Sequence, residues 1–247
     1  MWGWIKDKAR SIGRGIGAGL SVLIKAVGYA IHRIFGIPEL IISLLGFKPA
    51  KKLRLKVLIL RDASGTHLAS IADVEAVVDA AKLVFQREAN IRIIPPDREP
   101  AIVQEFADQN PSFVLTPKCD TGGHAQMFTQ VGSWFRAHCG PYARQGGATV
   151  FIVEDVIDKG GCFTGPLVDY GYVDDTALND SAGVPATGGR RLTLAHELAH
   201  ACDLLHRDDQ RNLMAPSDED ASGVQRTSAV TRWQRSVIRS SPRVRYI

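Results

Sequence analysis

Cysteine is scarce in this sequence, with four residues in a chain of 247. That rules out a small fold held together by a disulfide framework. Glycine and proline, 23 and 12 residues, fall short of the enrichment that marks disordered or collagen-like chains. There is no internal repeat of the solenoid or propeller kind. No charge-free stretch reaches the roughly 20 apolar residues of a membrane-spanning helix. The rest is ordinary globular composition, 45% hydrophobic and 23% charged. The length suits one core of about 150–200 residues with an appendage.

The net charge of +4 is unevenly spread. Residues 1–50 hold seven Lys/Arg and two acids, a net +5, so the remainder is close to −1. A body without a basic footprint argues against nucleic acid as a partner.

The first 47 residues differ in kind from the rest of the chain. Trp2 and Trp4 stand beside Lys6 and Lys8, and Ile, Leu and Gly are abundant. On a helix, Asp7, Arg14, Ser21, Lys25 and His32 fall within about 40° of one another, a narrow polar stripe. Ile16, Leu20, Leu23, Val27, Ile31 and Ile34 fill the opposite side. A second apolar run, Pro38 to Phe47, comes after the break at Gly36-Ile37-Pro38. Three readings compete: a helix on or in an anionic membrane, a helical hairpin packed on the body or a partner, and a cleaved secretory signal interrupted by Lys25. The first and third imply a membrane-associated or secreted protein. Lys48-Pro49-Ala50-Lys51-Lys52 reads as a linker, dividing a basic amphipathic segment, 1–50, from a domain, 51–247.

In that domain the pattern predicts a strand over Leu53–Leu60 and a helix capped by Ser70 over Ile71–Ala89. It predicts strands over Ile91–Ile94, Phe113–Leu115, Ala148–Val153 and around Gly171–Val173. Further helices are expected over His124–His138, Leu192–Cys202 and from near Ser228 through Trp233 to Ile238. Strand, helix, several strands and then a helix carrying chemistry describe an α/β (α+β) mixed-sheet domain.

The chemistry lies in His196-Glu197-Leu198-Ala199-His200. Two histidines at i and i+4 share one helix face, and both rings can reach one zinc ion at about 2.0–2.1 Å. Glu197, beside the first ligand, is placed to act on the attacking water. His206 is a candidate third ligand. Ten helical residues rise about 15 Å, so His206 can join only if the helix ends and the chain turns back near Asp203. If the helix continues instead, Asp203 lies near the histidine face and replaces His206. Met214, in Asn212-Leu213-Met214-Ala215-Pro216, suits a tight turn that packs its thioether beneath the site.

HELAHACDLLH followed by NLMAP resembles the metzincin zinc peptidases, whose motif is H-E-x-x-H-x-x-G-x-x-H with a Met-turn. The spacing from His206 to Met214 is most similar to the matrixin branch. The resemblance implies that His196, His200 and His206 bind zinc, that Glu197 is the general base, and that Met214 forms the Met-turn. It also implies an antiparallel edge strand that holds an extended peptide or protein substrate. Residues 215–228 would wall the pocket for the side chain after the cleaved bond. The family glycine is replaced by Asp203, which tolerates a left-handed backbone better than most residues. Pro117-Lys118-Cys119-Asp120 has the look of a cysteine switch, but its place inside the domain marks it as coincidence.

Other candidates have plainer readings. His67, His124 and His138 read as surface or hydrogen-bonded residues. Asp169, Asp174, Asp175 and Asp180 offer the oxygen ligands that a structural calcium prefers, or form a solvated loop. Cys202 should face the core, and four cysteines allow either two disulfides or free buried thiols. The functional expectation is a zinc endopeptidase carried to a membrane by residues 1–47. The rivals are a membrane-active or pore-forming toxin with an attached zinc domain, and a noncatalytic zinc module, against which Glu197 argues.

Overall fold

The computed structural model describes residues 26–31, 33–97, 99–119, 129–140, 146–157, 159–163, 168–179 and 189–246. The domain is a mixed α/β sheet with helices on both faces. Strand β1 (Lys51–Ile59) lies at its centre, in a path that runs β2 (Ile91–Ile94), β1, β4 (Ala148–Val153), β6 (Tyr170–Asp174), β5 (Gly161–Phe163). β3 (Val103–Glu105) and β7 (Val244–Tyr246) also pair with β1. The pairings are parallel except β1–β7 and β5–β6, so the path ends on an antiparallel edge strand. The register puts Val57 opposite Val150, and Gly161 opposite Val173. β1 and β4 are buried along most of their length, which explains their near-continuous apolar sequence.

Helix α2 (Ile71–Ala89) lies on one face. Ser70 accepts the Asp73 amide at its start, and Asn90 closes it in the left-handed region at φ 53°. Its Val74, Val77, Val78, Ala81 and Phe85 recur at helical spacing and enter the main core with Leu53, Leu55 and Val150. The site helix α5 (Thr193–Ala201) joins the same core through Leu194, Ala195, Leu198 and Ala199. The opposite face carries a second core, where Phe135 of α3 (Gln130–His138) lies 4.7 Å from Phe151 and 5.3 Å from Tyr172, ring centre to centre. A short helix, α4 (Thr176–Asn179), comes after β6. Helix α6 (Arg232–Arg239) starts with a reciprocal capping box between Thr231 and Gln234.

Some expected elements shift. Phe113–Leu115 is not a strand: Ser112–Val114 forms one tight turn of 3-10 helix, closed by Val114 N–H to the Pro111 carbonyl at 3.1 Å. The helix expected from His124 begins at Gln130, where Thr129 caps the Gly132 amide. The last helix begins four residues after Ser228, at the capping box.

Before β1, Ala26–Leu44 is helical and, by length and composition, apolar enough to cross a bilayer. Its last part, α1 (Ile37–Leu44), packs on α6 with its polar residues inward. Glu39 is buried against Arg239, which donates to it from Nε at 3.0 Å and Nη2 at 2.8 Å. Ser43 meets Ser236 at 3.1 Å. Ile34, Phe35, Ile41, Leu45 and Phe47 remain exposed. Of the expected polar stripe, Asp7, Arg14, Ser21, Lys25 and His32 lie outside the described residues.

Candidate metal centre

Helix α5 is buried at every residue except His200, which is half-buried. His196 and His200 stand one turn apart on it, with Nε2 atoms 3.0 Å from each other. The helix stops at Ala201, and the chain turns back through Asp203 at φ 72°. That turn is a Schellman motif: Asp203 N–H bonds the His200 carbonyl at 2.9 Å, and Leu204 N–H bonds the Ala199 carbonyl at 3.1 Å. It delivers His206, whose Nε2 lies 3.0 Å from that of His200 and 3.3 Å from that of His196. Asp203 points away, its carboxylate paired with Arg33. Of the two alternatives for the third position, the geometry brings in His206.

The Nε2 atoms of His196 and His200 cannot be bonding to each other. His196 Nδ1 is 2.8 Å from the Leu213 carbonyl, and His200 Nδ1 is 2.7 Å from the Leu204 carbonyl. A carbonyl only accepts, so each Nδ1 carries its ring's proton and each Nε2 presents a lone pair. Burial holds His196 down to about 2 and His200 to about 4, and lowers His206, so the rings are neutral at neutral pH. Lone pairs converging from His196 and His200, with the exposed His206 Nε2 beside them, call for a cation. Tetrahedral ligands at about 2.0–2.1 Å stand about 3.3–3.4 Å apart, close to the separations found. Among the described residues, these three are the group whose ligand atoms converge in this way.

Glu197 faces the edge strand. It is buried, and accepts the Phe163 backbone N–H of β5. Gly161 leaves room for it: a Cβ there would lie 2.9 Å from Glu197 Cγ. Burial pushes the Glu197 carboxyl up to about 8 against the pull of Arg226. Arg226 is itself buried and ion-paired with Asp218 at 3.0 Å.

Met214 is fully buried on a turn closed by Ala215 N–H to the Asn212 carbonyl at 3.1 Å. The Met214 carbonyl accepts Arg207 N–H at 2.9 Å, tying this turn to the segment that carries His206. Asn212 and Gln234 exchange two amide hydrogen bonds at 2.9 Å, tying it to α6. The carbonyl that holds His196 belongs to Leu213, inside the same turn.

The domain as a whole matches a solved structure. Mirolysin, solved with a bound compound, superposes with a TM-score of 0.51 at 13% identity, covering 78% of this chain and 91% of that one. The chain has a metallopeptidase-like fold. Metalloproteinase-II from Bacteroides fragilis is also similar, with a TM-score of 0.44 at 12% identity over 78% of this chain and 59% of that one. So is archaemetzincin from Methanopyrus kandleri, with a TM-score of 0.48 at 14% identity over 75% of this chain and 94% of that one. No protein-family model matches the chain, and neither does any curated protein.

The other candidates stand apart from the triad. His67 lies 3.5 Å from Glu105, and His138 bonds the Trp134 carbonyl at 2.7 Å. His124 and Asp180 lie outside the described residues. Asp169 faces Arg243 at 3.5 Å, and Asp174 accepts the Thr176 and Val156 amides. Those oxygens already serve the protein's own donors, and no calcium site is assembled from them. Cys119 is bonded to Cys162 of β5, which removes it as a switch thiol and anchors the edge strand. Cys139 and Cys202 are free and buried. Sequence reasoning missed Gly161, the Asn212–Gln234 pair, Arg226 and Arg33. These reach the site from distant segments, and no local spacing marks them.

Proposed function

We propose that this protein is a zinc-dependent endopeptidase of the metzincin kind. The observation that carries this reading is the convergence of three histidine Nε2 atoms, with His196 and His200 each presenting a lone pair from a neutral ring, beside the Glu197 carboxyl group. A zinc ion held by His196, His200 and His206 would polarise the scissile carbonyl and bring the pKa of a water toward 7. The residues do the rest. Glu197, held by the Phe163 amide, takes the water's proton on its carboxylate and later gives it to the leaving amine. β5, an antiparallel strand at the end of the sheet path, offers backbone groups to an extended peptide beside Glu197. Burial of Met214 next to Leu213, whose carbonyl holds His196, and its spacing from His206 support reading its turn as a Met-turn of the matrixin type. Cleavage of a peptide library, abolished by a chelator and restored by zinc, tests the proposal. Glu197→Ala should keep the metal and lose about 10²–10⁴-fold in activity; undiminished cleavage by that variant would refute the mechanism.

We also propose that the enzyme works at an anionic membrane surface. The specific observation is the outward apolar face of Ala26–Leu44, continued by Leu45 and Phe47. Residues 1–50 add a net +5, and each base near an anionic surface contributes about 1 kcal/mol. Because Glu39 and Ser43 hold α1 to the body, the helix lies along the surface rather than through it. Flotation with phosphatidylserine vesicles tests this: Ile41→Lys with Leu45→Lys should abolish it, and unchanged flotation would refute it.

A further inference from the structure

The residue that departs from the metzincin pattern has a partner. In a Schellman motif the left-handed position belongs to glycine, because a side chain there crowds the backbone. Here Asp203 occupies it, at φ 72°, with its side chain only 13% exposed. A strained position holding a buried carboxylate is unfavourable twice over unless something compensates. The compensation comes from 170 residues earlier in the sequence. Arg33 Nη2 is ion-paired with Asp203 Oδ2. The same guanidinium donates from Nη1 to Ser240 Oγ at 3.0 Å and from Nε to the Tyr29 hydroxyl at 3.1 Å. Arg33 therefore bridges the helical segment Ala26–Leu44, the turn after α5 and the C-terminal cap of α6.

The turn it grips sets two of the three metal-binding rings. Leu204, next to Asp203, supplies the carbonyl that holds His200 Nδ1. Three residues beyond Asp203, His206 must return to within 3.0 Å of the His200 nitrogen. A glycine would make this turn unaided. An aspartate makes it dependent on a cation from outside.

We propose that Arg33 is a positioning residue for the metal site, so that metal affinity depends on the seating of the N-terminal helix through the Arg33–Asp203 pair. This rests on the zinc reading above, and the experiment separates the two. Zinc affinity is measured on full-length chains by competition with a chromophoric chelator, and thermal unfolding is measured on the metal-free protein. Tight binding by the wild type, lost in His206→Ala, checks the zinc reading by itself. Arg33→Met should weaken zinc binding about 10–100-fold, the usual cost of losing a group that orients a ligand. Asp203→Gly should bind within about threefold of wild type, because glycine accepts the left-handed turn. The double variant, Arg33→Met with Asp203→Gly, should bind like Asp203→Gly. A merely structural role would lower metal-free stability, leave zinc affinity unchanged and show no rescue by glycine. If Arg33→Met does not fold, Arg33→Lys serves, since it keeps the charge but loses the fork to Ser240 and Tyr29; it too should bind zinc more weakly than wild type. Zinc affinity within twofold of wild type in a folded Arg33 variant, or a double variant as weak as Arg33→Met, overturns the proposal.

Discussion

Glu39 is the polar anchor of a helix whose other side is apolar, and its removal should be costly. Arg239 is fully buried, and its charge is matched by Glu39 Oε1 at 2.8 and 3.0 Å. Its remaining acceptors are neutral carbonyls: Ala89 at 2.6 Å and Pro49 at 2.9 Å. Lys51, 4% exposed, lies 3.6 Å from the other Glu39 oxygen and is pushed down to about 8 by burial. Tyr246 donates its hydroxyl to that same oxygen. Glu39→Ala thus strands two buried cations at once. Breaking a buried pair by removing one partner costs about 3–5 kcal/mol. For a chain of this size that corresponds to a fall in Tm of about 6–20 °C.

The assay is thermal unfolding of wild type, Glu39→Ala and the pair Glu39→Ala with Arg239→Met, all metal-free. The double variant removes the more deeply buried of the two stranded charges and keeps similar volume, so it should recover much of the loss. A fall of less than about 2 °C for Glu39→Ala would show that α1 is not docked through this pair, and the placement of the whole N-terminal helix would fall with it. The same logic applies to a chain that begins at Lys51. It would leave Arg239 and Lys51 without their carboxylate and should be markedly less stable than the full chain.

Other consequences are more local. Gly161→Ala puts a methyl 2.9 Å from Glu197 Cγ, so the carboxylate must shift; peptidase activity should fall at least tenfold while bound zinc, read by metal analysis, stays the same. Acid should destabilise the metal-free protein. His196 and His200 are held near 2 and 4, below their ordinary 6.5, while Glu197 is pushed up to about 8. As pH falls below 6.5 the unfolded chain takes up the two imidazole protons, which lowers stability, while the one proton already held by Glu197 in the folded state offsets part of the loss. Urea midpoints at pH 6.5, 5.5 and 4.5 for wild type and Glu197→Gln, which removes the opposing proton, read this slope; a flat profile in Glu197→Gln would contradict the burial of the two rings.

The sequence already showed the elements whose periodicity is strong. Ser70 and the spacing of Val74, Val77, Val78, Ala81 and Phe85 mark α2 to the residue, because a cap and an apolar stripe agree. β4 reads as a buried strand from Ala148–Val153 alone. Three-residue elements are another matter. β3, β5 and β7 hold three residues each, too few for a period to emerge, and their pairing is fixed by the sheet already formed around β1. Phe113 misled for the same reason, since a short apolar run is compatible with strand or turn. Within the site, the three histidines and Glu197 were legible because one helix and one turn carry them. Gly161 and Asn212 were not. Their roles exist only after β5 and α6 have been brought to α5 by tertiary packing.

The N-terminal helix shows where a correct pattern supports two opposite structures. Its wide apolar side and sparse polar residues mark an amphipathic helix, but amphipathicity does not say which side meets the protein. The ordinary default is apolar side inward. Here the structure does the reverse, because the body presents charge to the helix: Arg239 and Lys51 are buried cations that require a carboxylate, and Glu39 supplies it. The Arg33–Asp203 pair repeats the arrangement further along the helix, with the body now providing the acid. Two complementary ion pairs of opposite polarity fix both the position and the direction of the helix on the domain, which one pair or a greasy contact would not. With Arg33, Glu39 and Ser43 spent on the body, Ile34, Phe35, Ile41 and Leu45 are left facing outward, and burying them at a lipid interface is favourable at roughly 25 cal/mol for each Å² covered. The same contacts that turn this apolar face outward also reach the turn that sets His200 and His206, so the proposed surface attachment and the proposed metal binding would share one structural element.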